Sequence, residues 1–216
     1  MNVERLDFPS PILVIDDFMT SEDAAACLQE CVALKPVFMP ASVGAGANNR
    51  RAPDIRKNDV VMMDSVFAVA RERSRILSIM ARRIGETDCK QLWHKGDLIF
   101  DIINYATWRE TVLSRYGMCD FYGRHQDTVY NPDRQADITR RIVTIVFYLN
   151  TEPEAFTGGA LTLHKDGQEI TVDPKHNRAV VFPSFTFHSV QNVKLEDDKD
   201  WSGGRFSVNY WLGFRG

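Results

Sequence analysis

The stretch R-I-V-T-I-V-F-Y-L-N, Arg141 to Asn150, reads as a strand with no solvent side. Its β-branched and aromatic residues favour an extended chain. Successive side chains of a strand point to opposite faces, so Ile142, Thr144, Val146 and Tyr148 share one face and Val143, Ile145, Phe147 and Leu149 the other. The second face is wholly apolar and is expected to pack on helices. The first carries a hydroxyl and a phenol and is expected to look into a cavity. A strand covered on both sides belongs inside a layered fold.

Short strands separated by turn signals surround it. They are expected at Leu98–Tyr105, Thr111–Tyr116, Ile138–Asn150, Ala160–His164, Gln168–Val172, Arg178–Phe182, Thr186–Asn192 and Arg205–Phe214. Many short, evenly spaced strands indicate a jelly-roll, that is, a double-stranded β-helix of two facing sheets. Upstream, Ile12–Ile15 reads as a strand, and Thr20 with Asp23 forms a capping box ahead of Ala24, Cys27, Leu28 and Cys31 at helical spacing. Pro40–Pro53 reads as a long loop and Val60–Met63 as a strand. Asp64 is expected to cap a second helix that Gly85 ends. The fold class is therefore α+β, mainly β, with N-terminal helices buttressing the jelly-roll. One domain is expected over 1–216, a helix-rich support to about 97 and the core from about 98.

The 216 residues, 44% apolar and 25% charged with a net charge of -3, describe an ordinary globular chain and not a general nucleic-acid or membrane-surface binder. Cys27, Cys31, Cys89 and Cys119 form no C-x-x-C pair or regular framework, which argues against structural zinc and a secreted disulfide scaffold. The charged start lacks the apolar run of a signal peptide, and no stretch nears the roughly 18 apolar residues of a spanning helix. A reduced, cytoplasmic location is expected. Composition leaves the oligomeric state open.

The chemistry concentrates in His125-Gln126-Asp127, then His188, then Arg205-Phe206-Ser207. H-x-D alone arises often by chance, and a lone strand His is commonly structural, as expected for His94, His164 and His176. His188 is different because it follows the strongly apolar Ala179–Phe182 and Thr186–Phe187, which puts an ionisable ring on a buried strand in need of a partner. Two imidazoles and one carboxylate are the set that holds ferrous iron on one face and leaves the other open. Residues i and i+2 of a strand point the same way, so His125 and Asp127 can grip one ion together. Arg205 offers a fixed cationic fork suited to the far carboxylate of a small dicarboxylic acid.

Five segments carry a resemblance. They are Tyr116–Asp127, Arg141–Asn150, Gly158-Gly159-Ala160-Leu161, Val181-Phe182-Pro183-Ser184 leading to His188, and Gly204-Arg205-Phe206-Ser207 through Trp211. In this order they resemble the prolyl-4-hydroxylase-like iron(II)/2-oxoglutarate dioxygenases from Tyr116 to the C-terminus, while the N-terminal half matches only loosely. The resemblance makes His125, Asp127 and His188 the iron ligands. It assigns Arg205 to the distal carboxylate of 2-oxoglutarate, with Tyr148, Tyr116 and Ser207 beside that cosubstrate. Cys119 and Asn177 stand where the family often has Gly, and Asn tolerates the left-handed turn such a Gly serves.

The implied cofactors are Fe(II), 2-oxoglutarate and O2, with ascorbate a candidate reductant. Halogenating relatives replace the ligand carboxylate with a small residue, so Asp127 favours hydroxylation of an unactivated C–H bond. The resemblance favours a prolyl residue of a peptide or protein as substrate. A free amino acid or other small metabolite is the alternative, because fold and triad do not fix the substrate. Arg50, Arg51, Trp201 and Trp211 are the candidate substrate contacts, and the loops Pro40–Pro53 and Asn192–Gly204 are expected to flank the site. A non-catalytic ligand-binding β-barrel and a zinc hydrolase are remoter alternatives, disfavoured by Arg205 and Tyr148. The cluster Arg50, Arg51, Arg56 and Lys57 could attract an acidic partner but is expected to be ordinary exposed basic surface. No membrane partner is expected, and no basic-aromatic track beyond that cluster marks a nucleic-acid partner.

Overall fold

The computed structural model describes residues 1–8, 10–44, 49–85, 103, 105–128, 139–197 and 199–215. Fifteen strands and three α-helices are present among them. The strands are β1 (Asn2–Phe8), β2 (Ser10–Asp16), β3 (Met39–Pro40), β4 (Arg56–Lys57), β5 (Asp59–Met62), β6 (Trp108–Tyr116), β7 (Phe121–His125), β8 (Thr139–Leu149), β9 (Phe156–Gly158), β10 (Leu161–Lys165), β11 (Gln168–Val172), β12 (Ala179–Pro183), β13 (Phe187–Val190), β14 (Val193–Leu195) and β15 (Arg205–Arg215). The helices are α1 (Ser21–Ala33), α2 (Met63–Val66) and α3 (Arg75–Gly85).

Eight strands form a major sheet in the order β1-β2-β12-β8-β15-β6-β5-β3, and five form a minor sheet, β11-β10-β13-β7-β4. All pairings within them are antiparallel. The expected jelly-roll is the observed fold.

The two faces of β8 behave as their alternation requires. Val143, Ile145, Phe147 and Leu149 join Phe206, Val208 and Tyr210 of β15 against Cys27 and Cys31 of α1 and Ile76, Leu77 and Met80 of α3. Val146 and Tyr148 face inward, with Ile12, Val14, Leu161, Leu163 and Phe182. One position departs. Between β8 and β15 the register shifts, pairing Leu212 with Val143 but Gly213 with Arg141. This bulge skips Ile142, which packs on the helix side, and turns Arg141 into the cavity.

The N-terminal half differs more. Ile12–Ile15 is the middle of β2, which forms a hairpin with the unforeseen β1. Thr20 caps α1 as expected, accepting from the Asp23 amide at 3.1 Å. The single helix expected from Asp64 to Gly85 is instead α2, a 3-10 turn at Arg71–Arg73, and α3. Asp64 does not cap it. Its carboxylate pairs with Arg71 and accepts from the Thr111 amide at 2.6 Å, while Ser74 caps α3 through Leu77. The expected strand Leu98–Tyr105 lies outside the described residues except at Ile103 and Tyr105, whose backbone is helical. No helix among the described residues is long and apolar enough to cross a membrane.

Candidate metal and cosubstrate site

The minor sheet builds one half of the site through register. His125 of β7 and His188 of β13 are direct cross-strand partners, so both imidazoles project inward side by side, ring centroids 4.1 Å apart. Asp127 comes from a bend rather than the strand, since β7 ends at His125. Its amide is fixed to the Ser184 carbonyl at 3.0 Å. One carboxylate oxygen lies 3.6 Å from His125 Nε2 and the other 3.5 Å from His188 Nε2. One ligand atom from each of the three residues falls within 4.8 Å of the others, the spacing of a shared ion.

Each side chain is held from behind. Nδ1 of His125 lies 2.9 Å from the Gly123 carbonyl, and Nδ1 of His188 lies 2.9 Å from the Thr186 carbonyl. A carbonyl accepts only, so both Nδ1 atoms carry the proton and both Nε2 atoms keep a free lone pair aimed at the cluster. Thr144 Oγ1 donates to Asp127 Oδ2 at 2.8 Å and sits 2.9 Å from Ser184 Oγ. Burial drives His188 down to about 4, more than the Asp127 charge lifts it. Burial raises Asp127, but the facing His188 and His125 outweigh that and leave it well below the usual carboxylate range. At neutral pH the cluster therefore offers a neutral His188 and an ionised carboxylate, the protonation that metal ligation requires.

The major sheet supplies the other half. Arg205, Ser207, Asn209 and Trp211 lie on the inward face of β15 and line a cavity of about 330 Å³ together with the triad. Arg205 is 1% exposed, yet no carboxylate pairs with it among the described residues. Its guanidinium carbon lies 4.7 Å from the Tyr116 ring centre and 4.9 Å from that of Tyr148. Nη1 donates a long 3.3 Å bond to Ser207, Nε has no partner, and neither has the Tyr148 hydroxyl. Burial pushes the Tyr148 phenol up to about 12 and raises that of Tyr116, so both stay neutral donors. A buried cation and a phenol without acceptors fit an anionic ligand.

Glycines make room for this arrangement. A Cβ on Gly159, at φ +68, would lie 2.7 Å from Arg205 Cδ and 2.9 Å from Val193 Cγ2. Cys119 and Asn177 occupy left-handed backbone, φ 60 and 58, as their turn positions led one to expect. Asn177 also bonds both ways with Met19, at 2.9 Å each.

Of the candidate substrate contacts, only Trp211 lines the cavity. Trp201 packs away from it, against Phe38 and Phe206 and under Arg115, because the helix-side core offers its ring an apolar surface. In the Asn192–Gly204 segment, Val193 and Leu195 cluster with Tyr116, Phe156 and Val190 while Trp201 joins the helix-side core, and none of the segment's described residues lines the cavity. Arg50 and Arg51 are exposed and lie outside the cavity wall. Ser42, Val43, Gly44 and Asn49 of the Pro40–Pro53 loop do line it. Sequence reasoning missed Tyr122, stacked on His125 at 3.5 Å, and took Arg56, which lies 4.5 Å over the Tyr122 ring, for one of an exposed basic cluster. It also missed Arg141, which lies 3.8 Å over Trp211 and bonds Glu110 at 2.6 and 3.1 Å. Tyr122 stands three residues before His125, a spacing that puts the two on opposite faces of a regular strand; the register irregularity between β7 and β13 brings their rings together, and Arg56 and Arg141 likewise needed the tertiary fold. His164 bonds Glu169 and Ser189, and His176 accepts from the Asn150 amide, both structural as expected. His94 lies outside the described residues.

Residues 111–213 match the model of the 2OG-Fe(II) oxygenase superfamily. An uncharacterised PKHD-type hydroxylase of Synechocystis is 22% identical over 97% of this chain, which spans 65% of that relative's length. A Pseudomonas putida prolyl-4-hydroxylase superposes with a TM-score of 0.64 at 23% identity, over 94% of this chain and 92% of that one. A Trichoplax adhaerens prolyl hydroxylase, solved with a hypoxia-inducible-factor peptide fragment, gives 0.66 at 22%, over 94% and 83%. These structural likenesses concern the fold, and the family match spans the strands that build the His-Asp-His cluster and the buried arginine. Residues 111–213 thus carry the match to the 2OG-Fe(II) oxygenase superfamily, and the chain shares the fold of these prolyl hydroxylases.

Proposed function

We propose that this chain is an iron(II)- and 2-oxoglutarate-dependent hydroxylase in which His125, Asp127 and His188 hold the metal and Arg205 receives the distal carboxylate of the cosubstrate. The observation that carries this reading is the buried guanidinium of Arg205, without a carboxylate among the described residues and with an unpartnered Nε. It shares one cavity with the His-Asp-His cluster. An isolated buried charge is costly, and a small dicarboxylate reaching from the metal supplies its partner. Neither a zinc hydrolase nor a passive barrel needs such a clamp.

Iron(II) with 2-oxoglutarate and dioxygen supplies the oxidising power: the keto acid becomes succinate and carbon dioxide, and one oxygen atom enters a substrate C–H bond. Ascorbate is the candidate reductant. The chain's own part is orientation and exclusion of water. Gly123 and Thr186 fix the imidazoles, Thr144 fixes the carboxylate, and Tyr116 and Tyr148 give neutral donors beside Arg205. Ser207 turns its hydroxyl to the same guanidinium. The preferred substrate is a prolyl residue in a peptide, supported by the prolyl-4-hydroxylase name of one structural neighbour and the bound peptide of another. The free thiols of Cys27 and Cys31 suit a reducing cytoplasm.

Protein incubated with Fe(II), 2-oxoglutarate, oxygen and proline-containing peptides should release succinate and give a product heavier by one oxygen. His125→Ala, Asp127→Ala and His188→Ala should each abolish both signals while keeping the far-UV circular dichroism of the parent. Full turnover in any one of them removes the proposed ligand set.

A further inference from the structure

We infer that Arg56 is a substrate-recognising residue and that the substrate carries an anionic group, a carboxylate, beside an apolar body. This rests on the hydroxylase reading of the same cavity and adds the chemical class of what enters it. Among the described residues, five charged ones line the cavity: Arg56, Glu110, Asp127, Arg141 and Arg205. Glu110 and Arg141 neutralise one another through two hydrogen bonds. A metal dication and Arg205 are together matched by Asp127 and the two carboxylates of 2-oxoglutarate. Arg56 is left over.

Its contacts are all neutral. Nε donates to Asn58 Oδ1 at 2.7 Å, Nη1 donates to the Ser42 carbonyl at 3.4 Å, and the guanidinium lies 4.5 Å from the Tyr122 ring centre. No carboxylate pairs with it among the described residues. These contacts hold the fork in place without discharging it, which is the arrangement of a preformed anion receptor. Tyr122 carries His125 on its ring as well, at 3.5 Å, so a single aromatic ring separates Arg56 from the metal cluster.

The facing wall has the opposite character. Val60, Met62, Val112 and Trp211 of the major sheet line the same cavity, and Val60, Val112 and Trp211 form one apolar cluster with Ala41. Arg56 enters from the minor sheet, on β4, which pairs with β7 through Arg56 and Tyr122. A ligand between the two walls therefore meets an unpaired cation on one side and, on the other, the aliphatic surface of Val60, Met62 and Val112 beside a Trp211 ring covered by the Glu110-paired Arg141. The carboxylate has two sources: the free α-carboxylate of a small acid, or an acidic side chain next to the target residue of a peptide.

Equilibrium binding to anaerobic protein loaded with Fe(II) and 2-oxoglutarate distinguishes them without turnover. One arm compares N-acetyl-L-proline with its amide. The other compares a capped tetrapeptide carrying aspartate after proline with its asparagine counterpart. In at least one arm the acid should bind about tenfold or more tighter than its neutral partner, the least expected of a charge-assisted hydrogen bond. Arg56→Gln should shrink that gap to about threefold or less, and Arg56→Lys should keep part of it. Equal binding of acid and neutral partner in both arms, a gap that survives Arg56→Gln, a uniform weakening of both members, or no binding of any probe overturns the inference. Succinate release by the same preparation reports separately on the hydroxylase reading.

Discussion

Thr144 shows how one hydroxyl ties the metal cluster to the sheet behind it. It is fully buried, donates to Asp127 and meets Ser184. Thr144→Val keeps the shape but leaves one carboxylate oxygen without its donor. Metal affinity should fall by about 10–100-fold, the usual effect of losing an outer hydrogen bond to a ligand. Thr144→Ser should restore most of it, and metal titration checks both. An unchanged affinity in Thr144→Val would mean that Ser184 alone orients the carboxylate. His188 adds a pH dependence to the metal-free protein. Its value is about 4 in the fold against an ordinary 6.5, so between these the unfolded chain binds the proton and the fold does not. Its contribution is complete above about pH 6.5 and is lost as pH falls towards 4, by up to ~3 kcal/mol at ~1.4 kcal/mol per unit. Denaturant midpoints of the apo protein should drop from pH 7 to pH 5 more steeply than those of His188→Asn. Equal slopes would contradict the burial argument.

Strand β8 is the element on which support and site meet, and its two faces should respond differently. Phe147 is fully buried on the helix side with Phe18 at 5.7 Å, and Phe147→Ala should cost ~3–5 kcal/mol of stability. Tyr148 is equally buried, but its hydroxyl has no partner. Tyr148→Phe should leave the apo protein as stable or slightly more so, because it removes an unsatisfied polar group, while weakening 2-oxoglutarate binding. Calorimetric unfolding and cosubstrate titration of both variants test this. A clear loss of apo stability in Tyr148→Phe would mean the hydroxyl has a structural partner. This strand was legible in sequence because strict alternation over several residues admits one assignment of faces. Ile142 and Arg141 were not, since a bulge adds a residue without any marker in the local sequence. Strand β7 was foreseen only as the strand carrying His125 and Asp127, and it ends at His125: Phe121–His125 is short, charged and glycine-containing, and its pairing with β13 and β4 sets its extent.

Across the whole molecule, the residues that could be read from sequence are those whose chemistry is unusual for their surroundings. A His after an apolar strand and an arginine on the last strand stand out without coordinates. Trp201, Arg50 and Arg51 do not line the cavity, because loop residues advertise side chains without saying which way the loop turns. Trp201 found the core, while Arg56, from a two-residue strand, reached the cavity. The central claim joins two halves of the molecule, a metal cluster on the minor sheet and a carboxylate clamp on the major sheet. Anaerobic titration of the purified protein tests that junction most directly. One Fe(II) and one 2-oxoglutarate should bind per chain, and Asp127→Ala should lose the metal. Arg205→Ala should keep the metal but bind 2-oxoglutarate about two orders of magnitude more weakly, as expected for ~2–5 kcal/mol on losing one partner of a buried charged pair. Undiminished 2-oxoglutarate binding in Arg205→Ala, or metal binding that survives Asp127→Ala, would contradict the account.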